Sequence, residues 1–217
     1  MNDVYNLNTN LLSTVKNILI SPLTKLINIC IRESIFPDCL KTAVVVPIYK
    51  KGDLNNPSNF RPIALLPIFS KVIEKVLFRQ LSRYFESKKL FTGNQFGYRK
   101  SLSTVDAVLK LQNYITSCFE TEETAIVTFL DLSKAFDCVS HNILLKKLSA
   151  YNIDEESCKL LKSYPENRQQ LVKFNKTFSD HLPINQGVPQ GSILGPLLFL
   201  IFANELPTTL NSDSVLY

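Results

Sequence analysis

The chain has 217 residues, of which 45% are hydrophobic and 20% charged, and its formal net charge is +5. That length buries a sizeable core as one or two domains, and the balance excludes a disordered or fibrous chain. Five cysteines (Cys30, Cys39, Cys118, Cys138, Cys158) without CxxC spacing, and only two histidines (His141, His181), argue against a disulfide framework or a zinc centre and suit reduced thiols in an intracellular protein.

All 24 lysines and arginines lie in residues 1–176, which carry 16 acids and so sum to +8; the last 41 residues sum to −3. A basic body suits a polyanion such as nucleic acid, and also a merely solvated lysine surface. No run reaches the ~18 apolar residues of a membrane helix. Met1-Asn2-Asp3 does not open a signal peptide, so no membrane or secretory role is expected.

In chain order, Ser21-Pro22 reads as an N-cap followed by Pro at the first helical position, with Leu23, Leu26, Ile27 and Cys30 on one face and an end near Ile35–Asp38. Thr42 to Ile48 is a β-branched strand, placed at an edge or a strand end by Pro47. A polar loop follows, Lys51 to Asn59. Ile68 to Phe85 predicts an amphipathic helix with Val72, Val76, Leu81 and Phe85 inside and Lys71, Lys75, Arg79 and Arg83 on another face. Leu90 to Leu102 is irregular. Thr104 to Phe119 is helical, with Val105, Val108, Leu109 and Ile115 as its stripe. Ala125 to Leu130 is continuously apolar and predicts a strand buried on both sides. Helices are expected at Asn142–Ala150 and Glu155–Ser163, a strand at Gln170–Phe174, and a buried apolar helix from Pro196 through Ala203. Irregular alternation of this kind predicts an α+β, mixed α/β fold.

Asp131 follows directly on the Ala125–Leu130 strand. A carboxylate at a strand end can hold a hard cation such as Mg²⁺; taken alone, the commoner use is to cap a turn. Gly187 and Gly191 bracket Val188-Pro189-Gln190 and permit a tight bend where backbone approaches a ligand, or an ordinary strand-to-helix loop. Lys50, Lys51 and Arg61 flank the polar loop. Cations there can hold a triphosphate or pair with a loop acid. In Gln95-Phe96-Gly97-Tyr98-Arg99-Lys100, aromatics beside bases suit stacking and phosphate contact, or simple loop packing.

Phe129-Leu130-Asp131-Leu132-Ser133-Lys134-Ala135-Phe136-Asp137 and Gln186-Gly187-Val188-Pro189-Gln190-Gly191-Ser192, continued as Ile193-Leu194-Gly195-Pro196-Leu197-Leu198-Phe199, resemble the first two active-site boxes of reverse transcriptases of the non-LTR retrotransposon kind. Val46–Asp53 and Asn59–Ile63 resemble the fingers motifs of that family, and the resemblance runs from about Ser21 to Tyr217. It implies the fingers and an incomplete palm of a right-handed polymerase: residues 1–41 an N-terminal extension, 42–124 fingers, 125–217 palm with a fingers return around 140–180, and no thumb, endonuclease or RNase H domain. It also implies roles. Asp131 binds two catalytic Mg²⁺ (or Mn²⁺) ions, helped by the Leu132 carbonyl. Phe136 is a steric gate against a ribose 2′-OH. Gln190 and Gly191 line the nucleotide and template site, Lys50 and Arg61 hold the triphosphate, and Gln95, Tyr98 and Arg99 meet nucleic acid.

Tyr217 resembles the aromatic residue of the third box, aromatic-Ala-Asp-Asp, whose aspartates would follow it, so the metal site is expected to be incomplete. Pro165, Ala203 and Glu205 stand where the family usually has leucine, a bulkier aliphatic and aspartate. The expected function is RNA-directed DNA polymerisation with an RNA template, a DNA primer and dNTPs, acting in the nucleus or cytoplasm. The alternative is a catalytically dead remnant that at most binds nucleic acid, and poor solubility of the isolated chain is expected because a sheet edge would be uncovered.

Overall fold

A computed structural model of the protein describes residues 3–132, 134–175, 177–210 and 212–217. The element order is α1 (Thr9–Arg32), β1 (Thr42–Tyr49), β2 (Phe60–Leu65), α2 (Ile68–Ser87), α3 (Thr104–Glu120), α4 (His141–Ala150), α5 (Glu155–Ser163), β3 (Gln169–Phe174), β4 (Thr177–Phe178), β5 (Leu182–Pro183), α6 (Gly195–Ala203) and α7 (Leu206–Thr209). The fold is mixed α+β, as the irregular alternation predicts.

The sheet runs β2-β1-β3-β4, with β5 on β3. β1 pairs antiparallel with β2 over Val44–Tyr49 and parallel with β3 only over Thr42–Val45. Pro47 therefore falls in the half of β1 that has one neighbour, and it faces Pro62 across the ladder. Two residues without N–H groups share a position where no ladder bond is lost. β2 was not expected as a strand, because Pro62 and a mixed face hide its pattern.

The main core is helical. Phe36, Phe85, Leu148, Leu194, Leu198 and Ile201 lie at its centre, joined by Ile27 and Cys30 of α1. Local chemistry fixes several helix starts. Asp154 accepts from Ser157 N at 2.9 Å at the head of α5. Ser103 and Asp106 form a reciprocal capping box on α3.

Three expectations need correction. First, α1 begins at Asn8, whose side chain accepts from Leu11 N at 3.0 Å, and not at Ser21; Pro22 lies inside it and removes only the bond to the Ile18 carbonyl. The resulting 24-residue helix is long and apolar enough, by length and composition, to cross a membrane, although no run within it reaches ~18 apolar residues. Second, the α3 stripe is not a core stripe: Val105, Val108 and Leu109 are exposed, and Ala107 and Cys118 face inward. Third, Ala125–Leu130 is not a buried strand. No described strand pairs with it, and Ile126, Phe129 and Leu130 are 87%, 83% and 78% exposed. Apolar composition states what a segment can bury; a strand also needs a neighbour for its N–H and C=O groups.

Candidate functional site

The two boxes of the sequence meet. Gly187 N donates to Val139 O and Val188 N to Phe136 O, both at 2.8 Å. His141, the first residue of α4, donates from Nε2 to Gly187 O at 2.8 Å, and Gln190 Nε2 donates to Asp137 Oδ1 at 3.4 Å. Four contacts thus join Phe136–His141 to Gly187–Gln190. Gly187 has φ +86°, and a Cβ there would lie 2.8 Å from Asp137 Cα and O. Only glycine allows the two backbones to come this close.

The second box is also tied to the β1–β2 hairpin. Pro62 faces Pro47 at a pair without ladder bonds, so Ala64, two residues on, turns its N–H away from β1. Gln190 O accepts that N–H at 2.8 Å. Gly191 (φ +115°) passes so near that a Cβ would lie 2.7 Å from Ala64 O. Between them lies an open groove of about 310 Å³, floored by Val45, Pro62 and Ala64 and rimmed by Asp137, Gln170 and Gln190.

Lys50 and Arg61 are both exposed. Arg61 pairs with Ile48 and Lys50 N bonds to Asn59 O. By strand alternation they share one face of the hairpin, while Pro62 and Ala64 face the groove on the other. The two cations therefore share one face of the hairpin, and the Gln190–Gly191 turn lies along the free edge of β2, held in the plane of the sheet through Ala64 N.

Phe136 is half-buried between two aromatic neighbours: the Tyr98 ring meets it edge-on at 6.1 Å and the Phe199 ring is tilted at 5.1 Å. Of the three residues expected on nucleic acid, only Tyr98 is exposed. Gln95 is buried, with its side-chain amide on Gly97 O at 3.4 Å. Arg99 is committed internally, with Nε and Nη2 on the Glu86 carboxylate at 3.0 and 2.8 Å, Nη1 on Thr92 O and Gln95 O at 3.2 and 3.3 Å, and the guanidinium over Phe91.

Asp131 and Leu132 are exposed in the unpaired segment. Among the described residues, no three His, Cys, Asp or Glu side chains gather where they could hold a metal ion. One carboxylate and one backbone carbonyl do not fill the coordination shell of a hard cation, so the residues present do not fit a complete two-metal site. The C-terminal residues sit elsewhere: Leu216 N donates to Asn94 O at 2.8 Å, Phe96 N to Leu216 O at 2.9 Å, and Tyr217 lies over Gly97.

The sequence alone assigns no role to Asp137, His141 or Ala64. His141 carried a signal, as a lone histidine five residues beyond Phe136; the others act across long separations and carried none.

The family described as "Reverse transcriptase (RNA-dependent DNA polymerase)" matches residues 48–217. The chain is 34% identical over 181 residues to the "Probable RNA-directed DNA polymerase from transposon BS" of Drosophila melanogaster, an alignment covering 83% of this chain and 20% of that protein. It is 33% identical over 174 residues to the "RNA-directed DNA polymerase from mobile element jockey" of the same species, covering 80% and 19%. It is 32% identical over 166 residues to the "Retrovirus-related Pol polyprotein from type-1 retrotransposable element R2" of Popillia japonica, covering 76% and 23%. The chain spans about a fifth of the length of these curated relatives. With most of its length matched, and the two boxes joined in space, the chain belongs to the reverse transcriptase family.

Proposed function

We propose that this chain is the fingers and part of the palm of an RNA-directed DNA polymerase of a non-LTR retrotransposon, working on an RNA template, a DNA primer and dNTPs. The observation that carries the reading is the fourfold junction between Phe136–His141 and Gly187–Gln190, which gathers the gate residue and the nucleotide-lining turn. In this reading residues 42–124 are fingers, 125–217 palm and 1–41 an extension. The parallel β1–β3 pairing supports a return to the fingers within 140–180.

Lys50 and Arg61 hold the triphosphate from their common face, Arg61 through two N–H groups at once. Phe136 fills the space that a 2′-hydroxyl needs. Gln190 and Gly191 present backbone and amide to the base pair being formed. Asp131 contributes a carboxylate to divalent-cation binding (Mg²⁺ or Mn²⁺), and its own coordination set here is partial. The five cysteines are free thiols, which supports an intracellular setting. The basic body favours polyanion binding that weakens with salt.

The test is primer extension on an RNA template by the longest natural product containing this chain. The expected result is dNTP incorporation that Asp131→Ala abolishes. Extension by Asp131→Ala at the wild-type rate overturns the reading.

A further inference from the structure

Helix α6 takes its first local cap from Ser192, whose Oγ accepts from Gly195 N at 3.0 Å. Leu194 at its N-cap makes no side-chain hydrogen bond, yet the first N–H groups of a helix need acceptors. The two N–H groups just ahead of it, of Ile193 and Leu194, find their acceptor far upstream. Glu74 of α2 is completely buried. Its Oε2 accepts from the backbone N–H of Ile193 at 2.7 Å and of Leu194 at 3.2 Å, and its Oε1 accepts from Ser70 Oγ at 2.8 Å.

A buried carboxylate is tolerated where hydrogen bonds and favourable dipoles offset its lost hydration, and a helix N-terminus is such a place. The same buried cluster holds Tyr164 and Arg168. The Arg168 guanidinium lies 4.3 Å over the Tyr164 ring, and burial, with the Glu74 charge, raises the Tyr164 phenol well above its ordinary value.

The segment that Glu74 grips is the end of the second box. Ser192 Oγ donates to Pro189 O at 2.8 Å and accepts from Gly195 N at 3.0 Å, so Pro189–Gly195 is one closed turn. Its near side is tied to β2 through Ala64 N and Gln190 O, and its far side to α2 through Glu74. Gln190 is held at the first anchor, and Gly191 lies between the two.

We infer that Glu74 is a positioning residue for nucleotide binding: as a cap supplied from α2, it fixes the turn that carries Gln190 and Gly191. This rests on the reading of that turn as nucleotide-lining. A methionine in place of the glutamate keeps roughly the length of the side chain and leaves both N–H groups without an acceptor, whereas a glutamine can still offer its oxygen to them and its amide N–H to Ser70 Oγ.

The test is Glu74→Met in the 217-residue chain, read by amide hydrogen exchange and by binding of a fluorescent mant-dATP with magnesium. Exchange at Ile193 and Leu194 should quicken, with Leu198–Ile201 still protected, and mant-dATP should bind about tenfold more weakly, the loss of one hydrogen bond to a charged group. Where Glu74→Met gives no folded protein, Glu74→Gln, which keeps an acceptor for the two N–H groups and loses the charge that strengthens the bonds, carries the same test with about a threefold effect. Unchanged exchange at Ile193 and Leu194 overturns the cap. Uniformly faster exchange with unchanged nucleotide affinity overturns positioning in favour of a purely structural role. Wild-type chain that binds no mant-dATP overturns the nucleotide reading itself, whatever the exchange shows.

Discussion

His141 Nε2 lies 2.8 Å from the carbonyl oxygen of Gly187, so the first residue of α4 holds the turn that opens the second box. A carbonyl only accepts, so Nε2 carries the hydrogen. His141→Ala removes the donor and leaves a half-buried carbonyl without it, a loss of about 1 kcal/mol, or roughly 2–4 °C in melting temperature for a chain of this size. Glutamine presents an amide N–H at similar reach, so His141→Gln should recover most of the loss. Thermal melting of both variants checks this; equal destabilisation by alanine and glutamine would show that the hydrogen bond is not what matters.

Gly187 and Gly93 give a paired test of backbone geometry. Gly187→Ala must hold a side chain at φ +86° and push a Cβ to 2.8 Å from the Asp137 backbone, which cannot yield as a flexible side chain would. The expected cost is about 2 kcal/mol or more. Gly93 has nothing within 4 Å of its Cβ position, so Gly93→Ala should be neutral or stabilising by up to ~1 kcal/mol through the unfolded chain. Denaturant melts that showed equal effects at the two sites would contradict the close approach of the boxes.

Where local chemistry decides, the sequence was readable. α5 begins after Asp154 and runs over Glu155–Ser163 as expected, because a capping aspartate, acids in the first turn and a lysine in the last turn all agree. α6 was readable because it is apolar on every side. α1 was not: Asn8 and Ser21 are both plausible caps, and only the completed helix shows that Pro22 is tolerated inside it. The contacts that build the site, Glu74 to Ile193, His141 to Gly187 and Gln190 to Asp137, span 119, 46 and 53 positions. Each is a polar side chain against backbone or an amide, and such pairs leave no periodic trace. The resemblance marked which segments matter; only the fold shows what holds them together.

Arg99 separates a structural from a nucleic-acid role. Its four hydrogen bonds, two of which form the ion pair with the Glu86 carboxylate, with the two side chains 17% and 35% exposed, leave the guanidinium little freedom to leave for a phosphate. Arg99→Ala should lower stability by about 2 kcal/mol and leave the salt dependence of RNA binding unchanged. Lys100 is exposed; if it meets a phosphate, Lys100→Ala should reduce the slope of log K against log salt by about one. Titrations of the two variants across salt decide it, and a reduced slope for Arg99→Ala at unchanged stability would return Arg99 to the RNA-binding set.

The exposed run Ile126 to Leu130 has a consequence for solution behaviour. Apolar, β-prone and without a described strand beside it, it is a template for pairing between molecules. The isolated chain should self-associate as its concentration rises. Phe129→Lys places a charge at a position that is 83% exposed, so it should raise the monomer fraction without changing the melting temperature. Sedimentation velocity of both proteins tests this; a wild-type chain that is monomeric throughout, and melts cooperatively, would contradict it.

Phe136 is fixed from two sides, by Tyr98 edge-on and by Phe199 tilted against it. A gate that excludes a hydroxyl must not swing aside, and two aromatic contacts provide that rigidity. Phe136→Val opens space next to the proposed sugar position and should raise ribonucleotide relative to deoxyribonucleotide incorporation on the order of tenfold or more. Phe199→Ala leaves the ring in place and removes one support, so it should raise the ratio less. Competition between rNTP and dNTP in single-nucleotide extension measures both. If Phe136→Val leaves the ratio unchanged, the ring is a packing element and the gate lies elsewhere.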